Sequence, residues 1–328
     1  MRASGRDFRA RLGANESVFG PSPKAVEAMA RAAQDGWKYG DSESHDLREA
    51  LAAHHGVAPA NIMVGEGIDG LLGLLVRMLV EPGDAVVTSD GAYPTFNYHV
   101  AGFGGALHKV PYRDDREDPA ALVAKAEAVG AKLIYLANPD NPMGSWHSAK
   151  VIARMLEALP EGTLMVLDEA YADFAPAEAV PPFEADDPRL IRMRTFSKAY
   201  GLAGLRVGYA VGAAPLIAMF DRIRNHFGMT ITGQAGALAA LNDQAWLADV
   251  DRGRRVARPR AGRTRRRSRT GPVATDVRPG SREPVQRAER RALRRSRVRG
   301  ACARSFRGDR GAGPRGALAR RGFLHLRR

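Results

Sequence analysis

Cysteine and long apolar runs are both scarce in this chain, and each shortage narrows what it can be. One cysteine, Cys302, in 328 residues excludes an internal disulfide framework and fits a reducing compartment. The longest apolar run, Leu71 to Val80, is interrupted by Arg77 and falls well short of the about 20 residues that cross a bilayer. The N-terminus, MRASGRDFRARLG, carries charges but no apolar core of signal-peptide length. A soluble, cytoplasmic protein without membrane contact or metal is expected.

A second shortage is local. From Asp251 to Arg328 there is no Ile, Lys, Met, Asn, Trp or Tyr, and only 11 Val, Leu and Phe occur in 78 residues. The same stretch holds 27 Arg and 5 acidic residues, a net +22, whereas the preceding 250 residues carry 23 basic and 31 acidic side chains, a net −8. The overall +14 and the pI near 10.4 therefore describe the tail rather than the protein. So few apolar side chains cannot offset the entropy of ordering the stretch, and disorder is expected. The missing residue types mostly use A- or T-rich codons, so the composition fits a GC-rich gene read out of frame from about position 251. A basic arm gripping nucleic acid is the alternative, weakened by the absence of interleaved aromatics.

Before that point the chain alternates strand and helix signals. Pro23 to Gln34 has the spacing of an amphipathic helix started by Ser22 and Pro23 and ended near Gly36. NIMVGEGIDGLLGLL, Asn61 to Leu75, passes from a short β-like run through glycines into an apolar helix. A helix N-terminus made this way presents unpaired N–H groups and a positive dipole end, so the amides around Gly67, Ile68 and Asp69 suit a phosphate. Further strands are expected over Ala85 to Ser89, Gly105 to Val110, Lys132 to Ala137, Thr163 to Tyr171 and Val207 to Val211. Helices are expected over Pro119 to Val129, Pro215 to His226 and Gly233 to Leu241, with a short helix after Tyr93. This order argues a mainly parallel sheet covered on both faces.

Two strands end in chemistry. TLMVLDEAY places Asp168 at the end of an apolar run, where a buried carboxylate is costly unless it finds a partner. TFSKAYGLAGLRVG, Thr195 to Gly208, places Lys198 among small and hydroxyl residues directly after the β-rich run Leu190 to Phe196, leaving room for a ligand around its amine.

These segments, with NPDNPMG at Asn138 to Gly144, resemble the pyridoxal-phosphate aminotransferases of fold type I, closest to the histidinol-phosphate aminotransferase branch. The resemblance implies that Lys198 holds pyridoxal 5'-phosphate as a Schiff base and then acts as the base. It assigns the phosphate to Arg206 and the 67 to 69 amides, with Thr195 and Ser197 completing the phosphate and imine sites. Tyr93 would stack on the pyridine ring, Asp168 would face its nitrogen, and Asn141 and Tyr171 would donate to its phenolic oxygen. Asn15, in the entry arm, would lie near the substrate. Tyr39 would reach the cofactor phosphate of a neighbouring subunit, which implies a homodimer with shared active sites. Two positions depart from the pattern: Gly70 stands where many relatives have an acidic residue, and Met143 replaces the usual threonine.

The implied fold is α/β, an aminotransferase-like large domain with an incomplete C-terminal small domain. Its expected divisions are an arm and first helix over 1–35, the cofactor-binding domain over 36–250 and the arginine-rich tail over 251–328. The implied reaction moves an amino group from an L-amino acid or amino-alcohol phosphate to a 2-oxo acid. A decarboxylase of the same fold would share the cofactor residues. In the family the small domain supplies the arginine that grips the substrate α-carboxylate, and no segment here matches it.

Overall fold

The computed structural model describes residues 15–257. Residues 1–14 and 258–328 lie outside the described residues, and so do Cys302, most of the arginine-rich tail and the readings attached to it. In chain order the elements are α1 Pro23–Ala33, α2 His45–His55, β1 Ile62–Gly65, α3 Gly67–Leu79, β2 Ala85–Asp90, α4 Thr95–Gly102, β3 Ala106–Pro111, α5 Pro119–Val129 and β4 Leu133–Ala137. They continue with α6 Ala149–Glu157, β5 Leu164–Asp168, β6 Leu190–Thr195, β7 Gly208–Gly212, α7 Ala214–Phe220, α8 Ile231–Leu241 and α9 Gln244–Ala257.

The strands form one seven-stranded sheet in the order β1-β7-β6-β5-β4-β2-β3. β3, β2, β4, β5 and β6 run parallel, while β7 is antiparallel to both of its neighbours. β4 and β5 are buried along their whole length, which is why they read as unbroken apolar runs rather than as alternating ones. On one face Leu133, Tyr135, Val166, Ile191 and Met193 pack with Leu71, Leu72, Leu75 and Val76 of α3. On the other, Ile134, Leu136, Met165 and Leu167 pack with Leu122 and Ala126 of α5 and Ile152 and Met155 of α6. α1 and α8 pack on each other, with Ala25, Ala237 and Ala240 in their shared apolar cluster.

Strand periodicity then fixes where chemistry emerges. Residues two apart share a face, so Asp168 follows Leu164 and Val166 onto the α3 side, Ala137 follows Leu133 and Tyr135, and Thr195 follows Ile191 and Met193. The register sets Ala137 beside Asp168 and Asp168 beside Met193. The carboxyl ends of three adjacent strands thus deliver their last side chains to one place, where ligands of open parallel sheets bind.

Helix ends follow local rules. Ser22 caps α1 by accepting from the Ala25 amide at 3.1 Å, and Asp118 caps α5 by accepting from the Ala121 amide at 3.2 Å. The helix expected over Pro215 to His226 is shorter: α7 stops at Phe220. Beyond it, Arg224 donates to Asp221 at 2.6 Å, to the Ser42 carbonyl at 2.7 Å and to Glu43 at 2.8 Å, and these bonds draw the chain out of helical geometry. Three helices, α2, α6 and α9, have no counterpart in the sequence reading. α9 crosses position 250 and runs to Ala257. No helix among the described residues is long and apolar enough to cross a membrane.

Candidate active site

A cavity of about 280 Å³ opens at the carboxyl ends of β4, β5 and β6, and its lining includes Lys198, Asp168, Tyr171, Asn141, Tyr93 and Arg206. Ile68, Asp69, Thr195 and Ser197 also line it. Ten of the thirteen candidate residues therefore share one space.

Lys198 is placed by the turn after β6. The Thr195 hydroxyl accepts from the Ser197 amide at 3.0 Å and donates to the Val207 carbonyl at 3.3 Å, and the Phe196 amide donates to the same carbonyl at 3.1 Å. This pinches the chain so that Lys198 leaves the strand end toward the cavity. Its Nζ donates to the Asn15 carbonyl at 3.5 Å and lies 5.4 Å from the centre of the Tyr171 ring. Asn15 Nδ2 donates to the Tyr171 hydroxyl at 3.1 Å and to Asn141 Oδ1 at 3.5 Å. The arm thus joins three candidates from three distant segments, although Asn15 itself lines the adjoining cavity.

Asp168 is buried. Its Oδ2 accepts from the Tyr135 hydroxyl at 2.6 Å and its Oδ1 from the Ala170 amide at 2.9 Å. Both donors are neutral. Burial raises its pKa above the usual carboxylate value, with the Glu169 charge adding to the rise, while the two hydrogen bonds and Lys198 act against it. A cation beside the carboxylate is what this arrangement would gain from most.

The anion-binding end is built from α3 and Arg206. Among the described residues no side chain caps α3, whose preceding residue is Glu66, which leaves the first amides to face a ligand. Arg206 has a left-handed backbone, φ 55°, and its Nη1 donates to Ser197 Oγ at 3.4 Å and to the Ala203 carbonyl at 3.0 Å. Its guanidinium lies against Gly67, where φ is +80° and an added Cβ would come within 2.6 Å of Nη2. Glycine at 67 is what lets the arginine approach the helix start.

Tyr39 does not reach this cavity within one chain. It is 82% exposed and packs on Phe227, ring centres 4.7 Å apart. Sequence reasoning missed Tyr135, Thr95 and Glu16, all of which line the cavity. Tyr135 did leave a signal: it is the one polar tip in LIYLA, and a buried tyrosine hydroxyl needs a partner.

An amine, a buried carboxylate held only by neutral donors, and an arginine beside free helix amides fit a phosphorylated pyridine aldehyde. Comparison with known proteins agrees. A histidinol-phosphate aminotransferase of Moorella thermoacetica is 38% identical over 239 residues, covering 72% of this chain and 62% of that protein. The Mesorhizobium japonicum histidinol-phosphate aminotransferase 1 is 37% identical over 276 residues, covering 82% and 74%. The chain thus spans less than two thirds of the first relative's length. The crystal structure of the Sinorhizobium meliloti histidinol-phosphate aminotransferase in complex with pyridoxal-5'-phosphate superposes with a TM-score of 0.75 at 58% identity, covering 76% of this chain and 69% of that one. The family described as aminotransferase class I and II matches residues 10–264. By that match, and by the mostly parallel α/β sheet that carries Lys198, the chain belongs to the class I and II aminotransferases.

Proposed function

We propose that the chain binds pyridoxal 5'-phosphate on Lys198 and serves as the large domain of an aminotransferase. The amino donor is an L-amino acid or an amino-alcohol phosphate, with histidinol phosphate first in line from the names of the relatives, and the acceptor is a 2-oxo acid. One observation carries the reading: Lys198 and the buried Asp168 line the same cavity as Arg206 and the uncapped start of α3.

When bound, the cofactor supplies an electron sink for charge developing at the substrate carbon next to nitrogen. Lys198 would hold it through Nζ, and the same amine, once free, would serve as the base that moves a proton at the substrate Cα. Asp168 would hold a proton at the ring nitrogen, a role suited to a carboxylate that burial leaves short of a cation. Tyr93, Asn141 and Tyr171, which line the same cavity, would hold the ring, the first by its aromatic face and the other two by hydrogen bonds. Arg206, Ser197 and the amides of Ile68 and Asp69 would hold the phosphate.

The working unit is a cytoplasmic homodimer in which Tyr39 of each copy serves the cofactor phosphate of the other. Cofactor binding rests on Lys198, Asp168, Arg206 and the start of α3, whereas turnover also needs a grip on the substrate carboxylate, which the family's small domain supplies. Adding pyridoxal phosphate to the purified chain tests the reading. A visible absorption band that disappears in Lys198→Ala is the expected result, and a chain that develops no band overturns it.

A further inference from the structure

His99 connects the two helices whose starting ends front the cavity. It sits in the last turn of α4, and Tyr93 and Thr95 at the other end of that helix line the cavity. Its Nε2 lies 2.8 Å from Oδ1 of Asp69, the third residue of α3. One turn further along the same face of α3 is Gly73, and an added Cβ there would come within 2.8 Å of the His99 ring. A bare position at 73 and a carboxylate at 69 therefore form a fitted seat for this imidazole.

The carboxylate it holds is badly placed for an anion site. Asp69 lines the cavity together with Arg206, and the same two residues line the adjoining cavity as well. Its side chain is 57% exposed, so packing does not immobilise it. A carboxylate in the first turn of a helix is attracted by the same N–H groups that a phosphate needs, and a guanidinium nearby attracts it further. Left free, Asp69 would compete with the phosphate for its own cradle and repel it once bound.

We propose that His99 is a positioning residue for phosphate recognition: its bond to Asp69 turns that carboxylate away from Arg206 and the α3 amides. The inference rests on the functional reading above, because it concerns the phosphate of the ligand that Lys198 holds. It also explains why a glycine is set at 73 within an apolar helix, where glycine is otherwise unfavourable.

The test compares pyridoxal phosphate with pyridoxal, which keeps the ring and aldehyde but lacks the phosphate, by titrating each into the full chain. In His99→Ala the dissociation constant for pyridoxal phosphate is expected to rise about tenfold, the scale of one lost charge-assisted hydrogen bond, with pyridoxal unaffected. Adding Asp69→Asn to His99→Ala should recover most of the loss, since the competing charge is then gone. His99→Gln, which keeps a donor for Asp69, should bind close to the unaltered chain. If His99→Ala does not fold, His99→Phe fills the seat over Gly73 without a donor and should show the same selective loss. An equal loss for both ligands would reduce His99 to packing and overturn the proposal, as would no loss or no recovery with Asp69→Asn. Failure of the unaltered chain to bind either ligand would instead overturn the functional reading, and this inference with it.

Discussion

Asp168 and Glu169 are neighbours in sequence and opposites in electrostatics. Both are buried. Glu169 receives Arg192 at 2.6 Å and Arg194 at 3.2 Å; burial alone would raise its pKa, but the two guanidinium groups outweigh burial and hold it lowered. Asp168 has only neutral donors and its pKa is raised. A carboxyl group with a raised folded-state pKa contributes stability below its unfolded value, and that contribution is lost as pH rises through the folded value. At neutral pH, then, Asp168 is a liability to the cofactor-free chain. Asp168→Asn is expected to leave urea stability without cofactor at pH 7 unchanged or raised by about 1–2 kcal/mol, an advantage that shrinks toward pH 4, while cofactor binding is lost. A marked fall in stability at pH 7 would contradict this account of the residue.

At the scale of elements, the Glu169 network adds to the backbone ladder between β5 and β6, and the turn after β6 carries Lys198. Arg192 also donates to the Pro181 and Pro182 carbonyls and lies 3.7 Å from the centre of the Phe183 ring. Glu169→Ala would remove the carboxylate that Arg192 pairs with and leave Arg194 with Asp173 at 3.4 Å, at a loss of about 3–5 kcal/mol. A urea midpoint shift corresponding to less than about 1 kcal/mol would show that the pair does not hold the strands. The strands were the most legible elements because β4, β5 and β6 lie inside the sheet, and burial on both faces writes continuous apolar runs. α1 and α5 were legible through Ser22, Pro23 and Pro119 at their starts. α6 and α2 leave little apolar pattern to read: only Ile152 and Met155 are buried in the first, and Leu47, Leu51 and Ala52 in the second. The extent of α7 was misjudged because its end is set by Arg224 reaching Ser42 and Glu43 across 182 and 181 positions, a contact no local pattern records. The site was legible wherever a strand end announced it, at Asp168 and Lys198. Tyr135 and His99 were not, since each matters through a partner at least 30 positions away.

For the whole molecule, charge and exposed aromatic surface tell separate stories. The first 250 residues are net acidic and the arginine-rich stretch strongly basic, so bulk pI says nothing about the part that carries the cavity. Trp37 and Tyr39 are 81% and 82% exposed, and Tyr39 packs on the half-exposed Phe227, an aromatic cluster of the kind that marks an interaction site. The proposed homodimer covers the Trp37–Tyr39 region. Sedimentation should therefore find a dimer that Trp37→Glu shifts toward monomer; a monomeric unaltered chain would contradict the shared-site arrangement.

That Lys198 holds the cofactor is testable by borohydride reduction of the full chain with pyridoxal phosphate, followed by peptide mass analysis. The account predicts one phosphopyridoxyl increment per chain, on the peptide containing Lys198. An increment spread over surface lysines, or none on that peptide, would contradict it.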